Sequence, residues 1–292
     1  MRLALYSRFG KKEVEIIKSF AKILGKHKIQ FTANEHKKSE YLNKLEGFSG
    51  FYNSHLSLKE SASDYVISFG GDGTVLETLL FVLDSQIPIV GCNTGRLGFL
   101  ASIGKNDLEK LIEQLLARNF TLESRSVLKI ESKNDSLKEP QYALNDVSLH
   151  KRDTSAMITV DTFLDEEYFN TYWSDGLLVS TPTGSTAYSL SCGGPLMFPN
   201  SSGFIINPVA PHNLNVRPVV VSNNTRIKLV VKGRGTKFLL SLDSRFKVLD
   251  YGSEITITKA PFELKFVEIN RQTFVNTLRG KLNWGTDHRN KY

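Results

Sequence analysis

At 292 residues, with 40% hydrophobic and 23% charged content, the chain has the composition of an ordinary globular protein, long enough for two domains or one large one. Its two cysteines, Cys92 and Cys192, stand far apart without metal-ligand spacing, which sets structural zinc aside and reads as a reduced, cytoplasmic protein. The net charge of +7 suits small polyanions such as nucleotides; the basic residues are scattered, without an arginine-rich tract or aromatic-basic ribbon, so nucleic acid is the weaker partner.

Met1 to Tyr6 enters a strand pattern at once, with no signal-peptide core, and no run is long enough to span a bilayer, so no membrane partner is expected. Leu3 to Tyr6 reads as the first strand. Val14, Ile17, Phe20, Ala21 and Leu24 then line one helical face, closed near Gly25. Ile29 to Thr32 looks like a second strand. Ala33 to Ser63 is polar and mixed, a loop or flap with room for a helix around Tyr41 to Leu45.

Tyr65 to Phe69 is an apolar, β-branched and aromatic run that reads as a buried strand. It breaks at Gly70-Gly71-Asp72-Gly73 and resumes with helical spacing at Val75, Leu76, Leu79 and Leu80. Strand, glycine turn and helix bring backbone N–H groups and a helix N-terminus to bear on phosphate, and glycine lets the anion approach the main chain. Asp72 is the unusual member, because its charge repels phosphate. It suits a hydroxyl to be deprotonated or a metal ion, or else it merely caps the helix. Thr74 is placed as an N-cap or a phosphate donor. Ile87 to Gly91 follows as a further strand, then the loop Asn93 to Leu100, then an amphipathic helix from Asp107 to Leu116. This alternation predicts a parallel, doubly wound sheet with ligands beyond the carboxyl ends of its strands.

After about Thr121 the pattern changes. Val127–Glu131, Tyr142–His150, Ile158–Leu164, Gly176–Thr181, Arg217–Ser222, Arg226–Lys232, Phe238–Asp243 and Glu254–Lys259 are strand-like and closely spaced, which predicts an antiparallel β-sandwich. The expected organisation is an α/β domain over 1–110 and a β domain over 111–267. A tail, 268–292, carries Phe274, Leu278 and Leu282 on one helical face and returns to the first domain. A second motif lies in the β domain. From Ser174 to Pro195 an apolar strand runs into hydroxyls crowded around Gly184, suited either to a purine edge, ribose and phosphate or to a Ser/Thr-rich helix cap.

Together the two motifs resemble the NAD kinase family. Four blocks carry the resemblance in order and spacing: Gly70 to Thr74, Gly95 to Leu100, Ala143 to Asp146 and Asp175 to Pro195. The tail Leu278 to Gly285 is similar too, so nearly the whole chain is covered. Diacylglycerol and sphingosine kinases share Gly-Gly-Asp-Gly-Thr, whereas the Thr181–Gly194 block is specific. The resemblance implies phosphorylation of the 2′-hydroxyl of the adenosine ribose of NAD by ATP, giving NADP and ADP. It also implies a divalent cation, normally magnesium, and a homodimer or homotetramer.

By the same resemblance Asp72 is the catalytic base and Gly70, Gly71, Gly73 and Thr74 meet phosphate, while Arg96 either meets phosphate or fixes its own loop. Asn145 and Asp146 contact the dinucleotide, beside Asp72 and Gly73, and Asp175 holds its nicotinamide half. Thr186, Ala187, Tyr188, Ser189, Leu190 and Ser191 surround the adenine and ribose, with Ala210 at the edge; Tyr188 either stacks on a base or is a plain core tyrosine. Three departures stand out. Asp146 replaces the usual glutamate, Trp173 stands where many members carry Arg or Lys, and Ser244-Arg245 stands where Gly and Gln are common. Arg245 either supplies the missing positive charge or faces solvent.

Overall fold

The computed structural model describes residues 1–95, 98–133, 137–152, 156–269 and 274–282. They divide into two compact units, Met1–Val75 with Ile87–Glu123 and Lys265–Tyr292, and Leu76–Gln86 with Ser124–Leu264.

The first unit is built on six strands: β1 (Arg2–Ser7), β2 (Gln30–Asn34), β3 (Phe48–Tyr52), β4 (Tyr65–Phe69), β5 (Ile89–Asn93) and the two-residue β6 (Ile103–Gly104). All pair in parallel, in the order β3-β2-β1-β4-β5-β6. The order reverses between β1 and β4, the switch point of a doubly wound sheet. Helices α1 (Lys11–Lys26), α2 (His55–Glu60), α3 (Asp72–Val82) and α4 (Leu108–Leu116) follow their strands in the chain. Ile17, Phe20 and Leu24 of α1 and Leu108, Leu111, Ile112 and Leu115 of α4 are buried as their spacing requires. They pack with Leu3, Leu5, Ile67, Phe69 and Val90 from the strands.

The stretch Ala33–Ser63 is more than a flap. It holds a short 3₁₀ helix over Glu40–Lys44, then β3, then α2 capped reciprocally by Ser54 and Ser57. Phe-Ser-Gly-Phe-Tyr has no β-branched residue and a glycine at its centre, so local propensity hides an edge strand that pairing with β2 creates.

In the second unit the strands are β7 (Thr121–Ser132, which begins in the first unit), β8 (Gln141–Ala143), β9 (Asp146–Lys151), β10 (Ile158–Leu164), β11 (Glu167–Ser180) and β12 (Gly203–Pro211). β13 (Val219–Ser222), β14 (Ile227–Lys232), β15 (Lys237–Leu242), β16 (Arg245–Asp250) and β17 (Glu254–Glu268) complete it, and β17 ends in the first unit. Their pairings within the unit are antiparallel. The 14-residue β11 serves two neighbourhoods. Its first half pairs with β10, and its second half pairs with β12 on one edge and β9 on the other. Alternate residues Val147 and Leu149, Leu177 and Val179, Phe204 and Ile206, and Leu240 and Leu242 enter one buried core. The short helix α5 (Tyr188–Ser191) follows a 3₁₀ turn over Thr183–Thr186.

The expected run Tyr142–His150 is broken at Leu144-Asn145, and β12 and β16 were absent from the strand pattern. Pro208 and Pro211 punctuate the first of these, and β16 takes its register from a tight return to β15. The final helix, α6 (Phe274–Leu282), belongs to the first unit, where Lys281 Nζ lies 5.2 Å from the Phe99 ring centroid.

Phe20 is fully buried and meets the Phe69 ring edge-on, with centroids 5.3 Å apart. Phe20→Ala should therefore cost about 3–5 kcal/mol, read from urea denaturation followed by circular dichroism.

Candidate active site

The turn after β4 is shaped by its first glycine. Gly70 has φ 156°, and a β-carbon there would lie 2.2 Å from Thr74 Oγ1, so no other residue fits. Gly71 is different: a β-carbon on it would meet nothing within 4 Å. Packing does not ask for glycine there, and the absence of a side chain leaves the backbone open to an anion. Gly73 is nearly as open, with only the tip of Arg8 nearby at 3.8 Å. These two positions thus fit a phosphate cradle. Thr74 is buried, and its N–H donates to the Gly71 carbonyl at 2.9 Å.

Asp72 opens α3 and grips another segment. Its Oδ2 accepts the Phe99 N–H at 2.8 Å, and Oδ1 accepts those of Leu100 and Ala101 at 3.0 and 2.9 Å. A carboxylate offers about four lone-pair directions. Three are taken, which leaves one, on Oδ2, for a further donor such as a hydroxyl. The approach is possible because residue 98 is glycine, where a β-carbon would stand 1.7 Å from Asp72 Oδ1.

The second unit contains a pocket of about 280 Å³ whose wall follows from strand alternation. Val147 and Leu149 of β9 face the core, so Asp146, Ser148 and His150 face the other way and line the pocket. On β15, Leu240 and Leu242 face the core and Ser241 lines the pocket, paired opposite Ser148. Asp243, Ser244, Asn145, Ala187, Tyr188 and Leu76 complete the lining. Leu76 sits on α3 one turn beyond Asp72.

Asp243 organises one side of this pocket. Its carboxylate accepts the N–H groups of Leu144, Asn145 and Asp146 at 2.9, 2.8 and 3.2 Å. Asn145 is also bound to the hydroxyl-rich turn: its carbonyl accepts the Thr181 N–H at 2.9 Å and the Ser180 Oγ–H at 3.2 Å. Two stretches singled out in the sequence are thereby held together. Burial, and then the neighbouring Asp243 charge, push the Asp146 carboxyl up to about 7. Burial raises Asp243 as well, against the pull of its three N–H donors and of Arg245. His150 is lowered by burial, opposed by Asp175.

The other expected site residues are dispersed. Tyr188 is 40% exposed and lines the pocket, its ring 5.7 Å from that of His150, so it is no core tyrosine. Thr186 and Leu190 are half-buried and Ser191 is exposed, whereas Ser189 is fully buried, its carbonyl accepting from Asn207. Asp175 alternates with Gly176 and so lies on the face of β11 opposite the pocket wall, 2.6 Å from Lys151 Nζ. Ala210 is exposed, in a left-handed conformation with φ 46°. Trp173 is exposed and stacks on His212, with ring centroids 4.4 Å apart. Arg245 donates to the Tyr142 carbonyl and sets its charge toward Asp243. Arg96 lies outside the described residues, as does the end of the tail, Asn283 to Gly285. Ser148, His150, Ser241 and the grip of Asp243 were not singled out in the sequence. The alternation of Asp146, Ser148 and His150 with apolar neighbours was their one local signal.

A glycine-rich turn at the switch point of a doubly wound sheet, and a polar pocket on an antiparallel β unit, define a two-unit nucleotide-binding protein of the kinase type. Comparison with known proteins makes the class specific. Residues 11–120 match the model of the ATP-NAD kinase N-terminal domain, and residues 144–269 that of the ATP-NAD kinase C-terminal domain. The chain is 42% identical to an NAD kinase of Cytophaga hutchinsonii over 99% of its own length and 100% of that protein. It is 49% identical to one of Christiangramia forsetii over 79% of each. Among solved structures, an Archaeoglobus fulgidus NAD kinase in complex with ATP superposes with TM-score 0.75 at 26% identity, covering 97% of this chain and 99% of that one. Yeast NADH kinase complexed with NADH shares the fold, with TM-score 0.88 at 21% identity over 100% of this chain and 90% of that one. The chain belongs to the ATP-NAD kinase family.

Burial of Asp146 has a pH signature. Folding raises its pKa from 3.8 to about 7, so the folded state holds the proton more tightly than the unfolded chain. Its contribution to stability is intact below the unfolded value and is lost as pH rises through about 7. Asp146→Asn should therefore gain stability relative to wild type as pH rises from about 4 to about 7 and hold that gain above it, seen as a Tm difference that widens and then levels in thermal melts.

Proposed function

We propose that this chain transfers the terminal phosphoryl group of ATP to the 2′-hydroxyl of the adenosine ribose of NAD, giving NADP and ADP. The observation that carries the reading is the state of Asp72, fixed by three N–H groups yet left with one lone-pair direction on Oδ2. Phosphoryl transfer is mostly positioning and charge neutralisation, with one group taking the proton of the attacking hydroxyl. Asp72 takes that proton, and the open backbone at Gly71 and Gly73, with Thr74, orients the donor phosphates.

The pocket of the second unit recognises NAD. Asn145 and Asp146 meet its ribose hydroxyls; an acid titrating at about 7 can donate to or accept from them. Tyr188 offers a ring face for stacking on the adenine, bounded by Ala187 and Thr186. Asp175 and Ala210 remain assigned to the dinucleotide by family resemblance. Among the described residues no group of three or more His, Cys, Asp or Glu side chains converges to hold a metal. Magnesium is read as entering with the ATP substrate, held largely by phosphate oxygens and water, as suits that ion. No helix among the described residues is long and apolar enough to cross a membrane. A cytoplasmic homodimer or homotetramer is part of the same reading.

Asp72→Asn replaces one acceptor oxygen by an amide that opposes the loop N–H donors, so it removes the base and loosens the loop together. NADP formation from ATP, magnesium and NAD should fall by at least about 10²-fold while NAD still binds by calorimetry. Equal rates for mutant and wild type would remove Asp72 from the chemistry, and a wild type that binds NAD but forms no NADP would end the kinase reading.

A further inference from the structure

The loop after β1 carries a cation with no role in the site described so far. β1 and β4 are paired to their ends, Ser7 opposite Phe69, so Arg8 and Gly70 are the first residues beyond the two strands. The backbone on both sides of Arg8 is fixed by buried groups. The Ser7 N–H donates to Asn34 Oδ1 at 2.9 Å, and Asn34 Nδ2 donates back to the Ser7 carbonyl at 3.0 Å. Ser7 Oγ accepts the Phe9 N–H at 3.0 Å, and Phe9, 1% exposed, sits in a left-handed conformation with φ 51°. A bulky residue there is strained, and strain that the surroundings maintain points to a segment held for use.

Between these anchors Arg8 is exposed, and its Nη2 lies 3.8 Å from the β-carbon position of Gly73, the one approach within 4 Å from outside the local turn and helix among the described residues. The start of α1 does not compete for an anion. Glu13 folds back over Gly10, its Oε2 2.3 Å from where a β-carbon would stand, and its Oε1 accepts from Thr94 Oγ1 at 2.9 Å.

We propose that Arg8 binds the phosphoanhydride chain of the phosphoryl donor, holding it against the Gly70–Thr74 turn. Backbone N–H groups orient phosphate but carry no full charge, and Asp72 adds a negative one. A guanidinium supplies the missing cation and a planar fork that engages two phosphate oxygens at once. The inference deepens the kinase reading and rests on it for the reaction, but not for binding. ATP and inorganic polyphosphate present the same chain, so the chemistry is shared between two sources of donor.

The test titrates full-length wild type, Arg8→Lys and Arg8→Ala with ATP and, separately, with tripolyphosphate by calorimetry, beside KM for ATP and for NAD. Arg8→Ala should weaken both polyanions by about ten- to a hundredfold, the size of a charge-assisted contact. Arg8→Lys should recover part of the loss, and KM for ATP should rise with KM for NAD and the melting temperature unchanged. Equal affinities in all three proteins would overturn the inference. So would a loss for ATP without one for tripolyphosphate, which would put Arg8 on the nucleoside, or a parallel loss of NAD binding, which would make it a structural residue. A wild type that binds both polyanions but forms no NADP would defeat the kinase reading, while the titrations would still decide Arg8.

Discussion

A single carboxylate ties together two loop segments of the first unit. Asp72 accepts hydrogen bonds from three successive backbone N–H groups, Phe99 to Ala101, that would otherwise need other partners. The bond set ties the turn after β4 to the segment after β5, the neighbouring strand. Two glycines make it sterically possible. Gly98 yields to the Asp72 oxygen, and a β-carbon at Gly91 would stand 2.2 Å from the Leu100 carbonyl. The acid among the glycines is thus a tie to a distant segment rather than a cap on its own helix, with one acceptor direction to spare.

The second unit repeats the device. Asp243 accepts from Leu144, Asn145 and Asp146, again three successive N–H groups, and bends the chain where β8 gives way to β9. Here the cost shows in the neighbour. Burial, with the neighbouring Asp243 charge second, raises the Asp146 carboxyl to about 7, so it exchanges its proton near neutral pH. Each unit therefore shapes a loop segment by presenting a carboxylate to three successive backbone donors.

What could be read from the sequence was what is local. The spacing of Ile17, Phe20 and Leu24, the glycine turn, and the alternation within Ile158–Leu164 each state their structure within a few residues. What could not be read depended on distant partners. Phe48–Tyr52 becomes a strand through pairing with β2, and Tyr52 further donates its hydroxyl to the Leu5 carbonyl. The role of Asp243 was hidden because its three donors lie about a hundred residues earlier in the chain. In the hydroxyl-rich block, composition alone could not separate Ser185 and Ser189, which are fully buried, from Thr186 and Tyr188, which reach the surface.

From Gly176 to Ser180, β11 is hydrogen-bonded along both edges, and Leu177, Leu178 and Val179 are wholly buried. A segment so placed opens only when much of its surroundings opens. The turn beginning at Thr181 leaves directly from that strand and is tied again to Asn145. Its order is therefore settled when the unit folds, before any nucleotide arrives. A ligand received by this turn would meet little of the conformational entropy loss that a free loop of the same sequence imposes, which favours tight recognition from a modest contact surface.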